Sequence, residues 1–304
     1  MTRKTLASVV ATTFVLAACG GGGSGHDAVD DSGGAGPVTG GTAKTTPGVW
    51  QGTINSATTG TTNLLGMTDD DGHSVWMSTD GRVWTGQMPM SGTQVDVSMT
   101  GHMYPGDHFP DGTIHGTSAM HMDYADGRWS GHYSGAGDDG TFAMSRHPAW
   151  DRPASLASLA GTYTRTTSIG YTMTMSVSAT GQLTASDTRG CVINGTVTVP
   201  DPVHNLYRIA ANVTSCGVLD GNYQGHGTLL DATAMNAWMN TMGCFQYGQD
   251  GMPRDGMGHG GMGSGGMMNW WPLGGVNTVP AGTANLFMFA ISNGQYAIMD
   301  ALAK

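Results

Sequence analysis

The chain has 304 residues, a formal net charge of −10 and only 11% charged residues, well under the roughly 25% of an average domain. Such an acidic, sparsely charged chain excludes DNA, RNA and anionic lipid headgroups as expected partners. All 22 acids are Asp and none is Glu, which removes zincin motifs of the H-E-x-x-H type and leaves only Asp–Asp pairs for carboxylate catalysis.

The first elements are not those of a folded domain. Arg3 and Lys4 precede an apolar run from Leu6 to Leu16, and small residues follow. The run is too short to span a bilayer and stops at the glycines from Gly20 onward. It ends Leu16-Ala17-Ala18-Cys19, which resembles the lipobox of bacterial lipoproteins. That resemblance implies cleavage of signal residues 1–18, lipidation of Cys19 and anchoring to a membrane without a transmembrane helix. Gly20 in place of Asp after the cysteine implies the outer membrane. Cleavage would leave 304 − 18 = 286 residues with a charge of −10 − 2 = −12. Residues 19–47, the lipidated Cys and a stretch of Gly, Ser, Thr and Asp, read as a flexible, disordered tether.

From Gly48 the pattern becomes that of an all-β protein. Good surface-helix formers are scarce, while Thr, Val, Tyr and Trp are plentiful. Short apolar runs are punctuated by Asp71-Gly72, Asp80-Gly81, Asp111-Gly112, Asp126-Gly127, Asp139-Gly140, Asn194-Gly195, Asp220-Gly221 and Asn293-Gly294. Each pair is expected to supply the positive φ of a tight hairpin. Repeated hairpins predict antiparallel meanders closing into up-and-down barrels. Two units are expected. Unit one spans 48–146 with about eight strands, 147–160 is a linker, and unit two spans 161–304 with slightly fewer strands.

Gly48-Val49-Trp50 opens unit one, and Arg146 ends it. A Gly-x-Trp on the first strand resembles the calycins, the lipocalins and avidins among them. In those families the Trp closes one end of the barrel against a base from the last strand, a role the resemblance gives to Trp50 and Arg146. In unit two Tyr163 stands for the Trp, and Lys304 is the base in reach. The resemblance implies a binding function, with an apolar or mixed small ligand in a Met- and Trp-lined interior, or a protein partner at the loops.

Unit two carries an insertion, residues 231–278, where the β pattern stops. Asp231 caps an expected short helix with Met235, Trp238, Met239 and Met242 on one face. A Gly matrix then carries Met252, Met257, His259, Met262, Met267 and Met268. Thioethers suit Cu(I) and the softer Ag(I), and the segment resembles the Met/His-rich regions of periplasmic copper-handling proteins. That makes an envelope metal-handling role the alternative function.

The remaining chemistry is sparse. Of three cysteines beyond Cys19, Cys191 and Cys216 lie a hairpin apart and are the expected disulfide, with Cys244 left over. Met88 and Met90, Met120 and Met122, and Met173 and Met175 lie two apart on expected strands, hence on one face, and read as core filler. His73, His102, His108, His115, His121, His132 and His147 cluster in unit one and read as solvent-facing hairpin residues, with a cross-strand site left open. Asp69-Asp70-Asp71-Gly72 lacks the ligand spacing of a calcium loop and is expected to be a solvated turn. Gly116-Thr117-Ser118-Ala119-Met120 lacks the last Gly of a nucleophile elbow. No dinucleotide fingerprint or Walker loop occurs, and no enzyme is expected.

Overall fold

The computed structural model describes residues 46–88, 93–103, 107–166, 170–231 and 285–304. The signal and its lipobox, the tether up to residue 45, Met90, Cys244 and every Met-rich loop residue from Met235 to Met268 lie outside the described residues.

Turn chemistry sets the strand order. Five loops share one form, X-x-x-Gly-x, in which the Gly takes positive φ and its N–H donates to the carbonyl of the first residue. They begin at Asp69, Ser78, Phe109, Ser178 and Asp187. Asp69 and Asp187 strengthen this loop identically. One carboxylate oxygen accepts the backbone N–H groups of Asp71 and His73, or of Arg189 and Cys191. Asp126-Gly127 and Ala136-Gly137 have positive φ at both residues, the two-residue turn that matches strand twist.

These turns connect β1 (Gly48–Ser56), β2 (Gly60–Thr68), β3 (His73–Ser78), β4 (Val83–Gln87), β5 (Gln94–His102), β6 (His115–Ala125), β7 (Arg128–Gly135) and β8 (Asp138–Arg146) into one closed antiparallel barrel. A 3₁₀ turn, Pro148–Asp151, and a one-turn helix, α1 (Leu156–Leu159), lead to the second barrel. Its strands are β9 (Gly161–Thr166), β10 (Thr172–Val177), β11 (Gln182–Asp187), β12 (Val192–Thr198), β13 (Tyr207–Thr214), β14 (Gly221–Asp231), β15 (Asn285–Ser292) and β16 (Ala297–Ala303). The second barrel thus has eight strands rather than slightly fewer. The long excursion after β14 does not cost the sheet a strand, because β14 and β15 pair directly from Gln224↔Ser292 to Asp231↔Asn285.

Two of the expected turns are not turns. Asp139-Gly140 lies inside β8 and Asn194-Gly195 inside β12. There glycine serves close approach of strands: a Cβ on Gly140 would lie 2.2 Å from the Asn55 carbonyl oxygen, and one on Gly195 2.3 Å from that of Ala210.

The first barrel is filled by large side chains set opposite glycines. Trp76 is the register partner of Gly66, and Trp84 of Gly101. A missing Cβ leaves room for each indole, since one on Gly66 would sit 3.0 Å from the Trp76 ring. Trp50, Trp76, Trp84 and Trp129 are at most 1% exposed, and they share the lumen with Met88, Met99, Met120, Met122 and Met144. Ring contacts are edge-on, as in Trp50–Trp129 and Trp76–Phe142, the arrangement the ring quadrupole favours. The four indole N–H groups have no acceptor, so apolar packing rather than polar pairing holds this lumen. Met173 and Met175 enter the second lumen beside Tyr163, Tyr207 and Phe287.

Several strands are buried on both faces. In β2 and β3, Leu64 and Trp76 face the lumen, while Leu65, Met67, Val75 and Met77 face outward. They meet Met288, Ala290, Ala297 and Met299 from β15 and β16. The barrels are therefore joined wall to wall by an apolar seam. Trp150 of the 3₁₀ turn belongs to the seam and stacks on His204 at 4.1 Å.

Candidate functional site between the barrels

Beside the apolar seam the walls diverge into a groove of about 470 Å³, lined by Asp69, His73, Ser74, Thr85, Gln87 and Thr100 of the first barrel and by Arg208, Gln224, His226 and Ser292 of the second. Val75 and the backbone at Gly86 and Gly225 add apolar surface. Its volume falls in the range of small-ligand sites, roughly 300–1,000 Å³.

The groove floor is an ionic clamp. Asp69 ends β2 with its side chain fully buried. One oxygen is spent on its own turn; the other, Oδ2, accepts from Arg208 Nη2 at 2.6 Å and Nε at 3.1 Å, and lies 3.0 Å from His226 Nε2. Arg208 Nη2 also donates to Asp71 Oδ2 at 2.7 Å. Burial opposes ionisation of Asp69, but the hydrogen bonds and charges of His226 and Arg208 outweigh it and hold the carboxyl well below the usual range. Arg208 is held more firmly protonated in turn by hydrogen bonds to Asp71 and Asp69, against the opposing effect of its own burial. The expected solvated turn at Asp69 is thus corrected: its local geometry is that of a solvated turn, but the second barrel covers it.

Asp69, Asp71 and His73 place ligand atoms within 4.8 Å of one another, yet Arg208 occupies the outward oxygens of both carboxylates. The cluster therefore has its own internal cation. His102 closes the far side of the groove: its Nε2 is 3.0 Å from Thr85 Oγ1 and 3.3 Å from Ser292 Oγ. Burial lowers its pKa and favours the neutral ring.

The calycin-type pair is in contact. Trp50 and Arg146 are register partners on β1 and β8, and the guanidinium sits 5.0 Å from the Trp50 ring and 5.4 Å from Trp150. Lys304 lies 5.7 Å from the Tyr163 ring and donates to the Ala160 carbonyl, so both barrels carry a base over an aromatic at the first strand. Cys191 and Cys216 are joined in a disulfide.

The histidines divide by place. His73 lines the groove and His102 is buried beside it; His147 is buried and caps the 3₁₀ turn, its Nδ1 accepting from Ala149 N–H at 3.0 Å. His121 and His132 are partners across β6 and β7. Arg208 and His226 were not legible as site residues, since each is a lone polar residue in an alternating strand. The one signal was scarcity: with 12 Lys and Arg in the chain, an Arg inside a strand is there for a counter-charge.

No family model, curated protein or solved structure matches the chain, so fold and site are argued from its own residues.

Proposed function

We propose that the protein is a non-catalytic outer-membrane lipoprotein that binds a small ligand of mixed polarity in the groove between its two barrels. The groove carries this reading: it offers hydrogen-bonding side chains from both barrels around an apolar patch, whereas the lumen of the first barrel is occupied by its own Trp and Met side chains. A ligand held there meets Thr85, Thr100, Gln224 and Ser292 as neutral partners, with the Asp69–Arg208 clamp as a fixed dipole beneath. The lipobox-like Leu16-Ala17-Ala18-Cys19 supports the anchor, and the following stretch supports a tether that lifts the barrels from the membrane.

Native mass spectrometry of the protein purified from the cell envelope tests this. A co-purified organic mass should be carried by the wild type and lost from Gln224→Trp, which fills the groove from an exposed position. The same mass retained on Gln224→Trp would move the site elsewhere.

The soft-metal reading, Cu(I) or Ag(I) held by Met252, Met257, His259, Met262, Met267 and Met268, is favoured by a Met at every fifth residue of a Gly matrix. It stands beside the groove reading, because the two use different residues.

A further inference from the structure

We propose that His121 and His132, neighbours on the outer wall of the first barrel, form a binding site for a divalent transition-metal ion of the Cu²⁺, Ni²⁺ or Zn²⁺ class. Three strands supply one row of side chains here: Asp96 on β5 pairs with His121 on β6, which pairs with His132 on β7. The two rings lie 5.2 Å apart, centroid to centroid, and are tilted by 33°. Directly opposed side chains on antiparallel strands are the closest that two strands bring together, so both imidazoles reach one ion without a backbone change.

Asp96 decides which nitrogen is offered. Its Oδ1 is 2.6 Å from His121 Nδ1, and a carboxylate only accepts, so Nδ1 carries the proton. The outer nitrogen, Nε2, is then the one left for a metal. This carboxylate–imidazole arrangement is the common support for a metal-ligating His, fixing the tautomer and raising ligand basicity. Asp123, two positions along the same face and held by Gln94 at 2.9 Å, adds negative field. Both histidines stand at a solvent-facing wall, so water completes the coordination. Binding exchanges one proton at His121 Nε2 for one metal–nitrogen bond, with no redox step.

A contrast on the same strands shows what is particular here. His102 and His115 are also register partners across β5 and β6, but His102 is buried with its ring engaged by Thr85 and Ser292. Two imidazoles without thioether or thiolate make a borderline donor set, suited to divalent ions rather than Cu(I). The site is thus chemically distinct from the Met-rich segment.

The test is titration of the full-length protein with Cu²⁺ alone, followed by electron paramagnetic resonance and calorimetry. One equivalent should show nitrogen coordination and broaden the ring protons of His121 and His132. His121→Gln and His132→Gln should each weaken that binding more than tenfold. Asp96→Asn, which keeps both ligands, should weaken it about tenfold, as loss of such a supporting carboxylate does. Deletion of residues 250–268 and His115→Gln should leave it unchanged. All of these positions but the deletion are at the outer wall, and circular dichroism checks the fold. Unchanged affinity in both His→Gln variants, or broadening confined to other histidines, would overturn the proposal.

Discussion

Arg208 on the second barrel donates to Asp69 on the first at 2.6 Å, and the Asp69 side chain is fully buried while Arg208 is 39% exposed. This asymmetry ranks the substitutions. Arg208→Ala leaves a buried carboxylate with His226 as its remaining partner in the second barrel and should cost about 3–5 kcal/mol. Asp69→Asn keeps an acceptor for its turn and strands only a half-exposed guanidinium, so about 2 kcal/mol is expected. Urea unfolding midpoints should fall in that order, and the double variant should lose less than the sum. Equal, negligible losses would mean that the apolar seam alone joins the barrels.

His147 sets a pH dependence. Burial, with the Arg152 charge adding to it, lowers its pKa to about 4, against about 6.5 in an unfolded chain. Between those values the unfolded chain binds the extra proton, so stability rises with pH there and is lost as pH falls through the window. The loss amounts to about 3 kcal/mol. Asp300, raised by burial against the pull of Arg165, acts in the opposite sense over the lower part of that range. His147→Asn keeps the cap acceptor and removes the titration. Proton uptake on unfolding near pH 5 should therefore be about one proton smaller in the variant, with the Asp300 contribution cancelling in the comparison.

The lid of the first barrel rests on Arg146. Arg146→Ala removes its contacts with both Trp50 and Trp150 and should cost about 1–2 kcal/mol. Arg146→Lys should lose less. Thermal unfolding followed by Trp fluorescence reads both, because the lid sits on an indole. An unchanged midpoint in Arg146→Ala would show that the lumen closes without it.

Cys191 and Cys216 close a loop with a sequence separation of 25. Replacing both with Ser should lower stability by about 3 kcal/mol through the freer unfolded chain. Reductant should destabilise the wild type and leave the double variant unchanged.

The fold was largely legible because the barrel lumens obey strict alternation: Met120 and Met122 lie inside and His121 outside, as period two requires. Hairpin glycines marked most of the turns. Gly140 and Gly195 misled because glycine meets two needs, positive φ and close approach of strands, and the sequence does not say which. The second barrel's last strands were undercounted because β14 and β15 pair across an excursion that looks like a break in the sheet. The groove was not legible at all. Its walls come from residues separated by well over a hundred positions, such as Asp69 and Arg208, and only docking of the barrels brings them together. A turn such as Asp69–His73 has the same local pattern as Asp187–Cys191; what differs is the surface that covers it.

The most direct test of the central claim is a crystal structure of the protein purified from its own cell envelope. Ligand density against Thr100, Gln224 and Ser292, between the barrels, is the predicted result. Ligand density inside the first barrel among Trp50, Trp76, Trp84 and Trp129, with a bare groove, would contradict it.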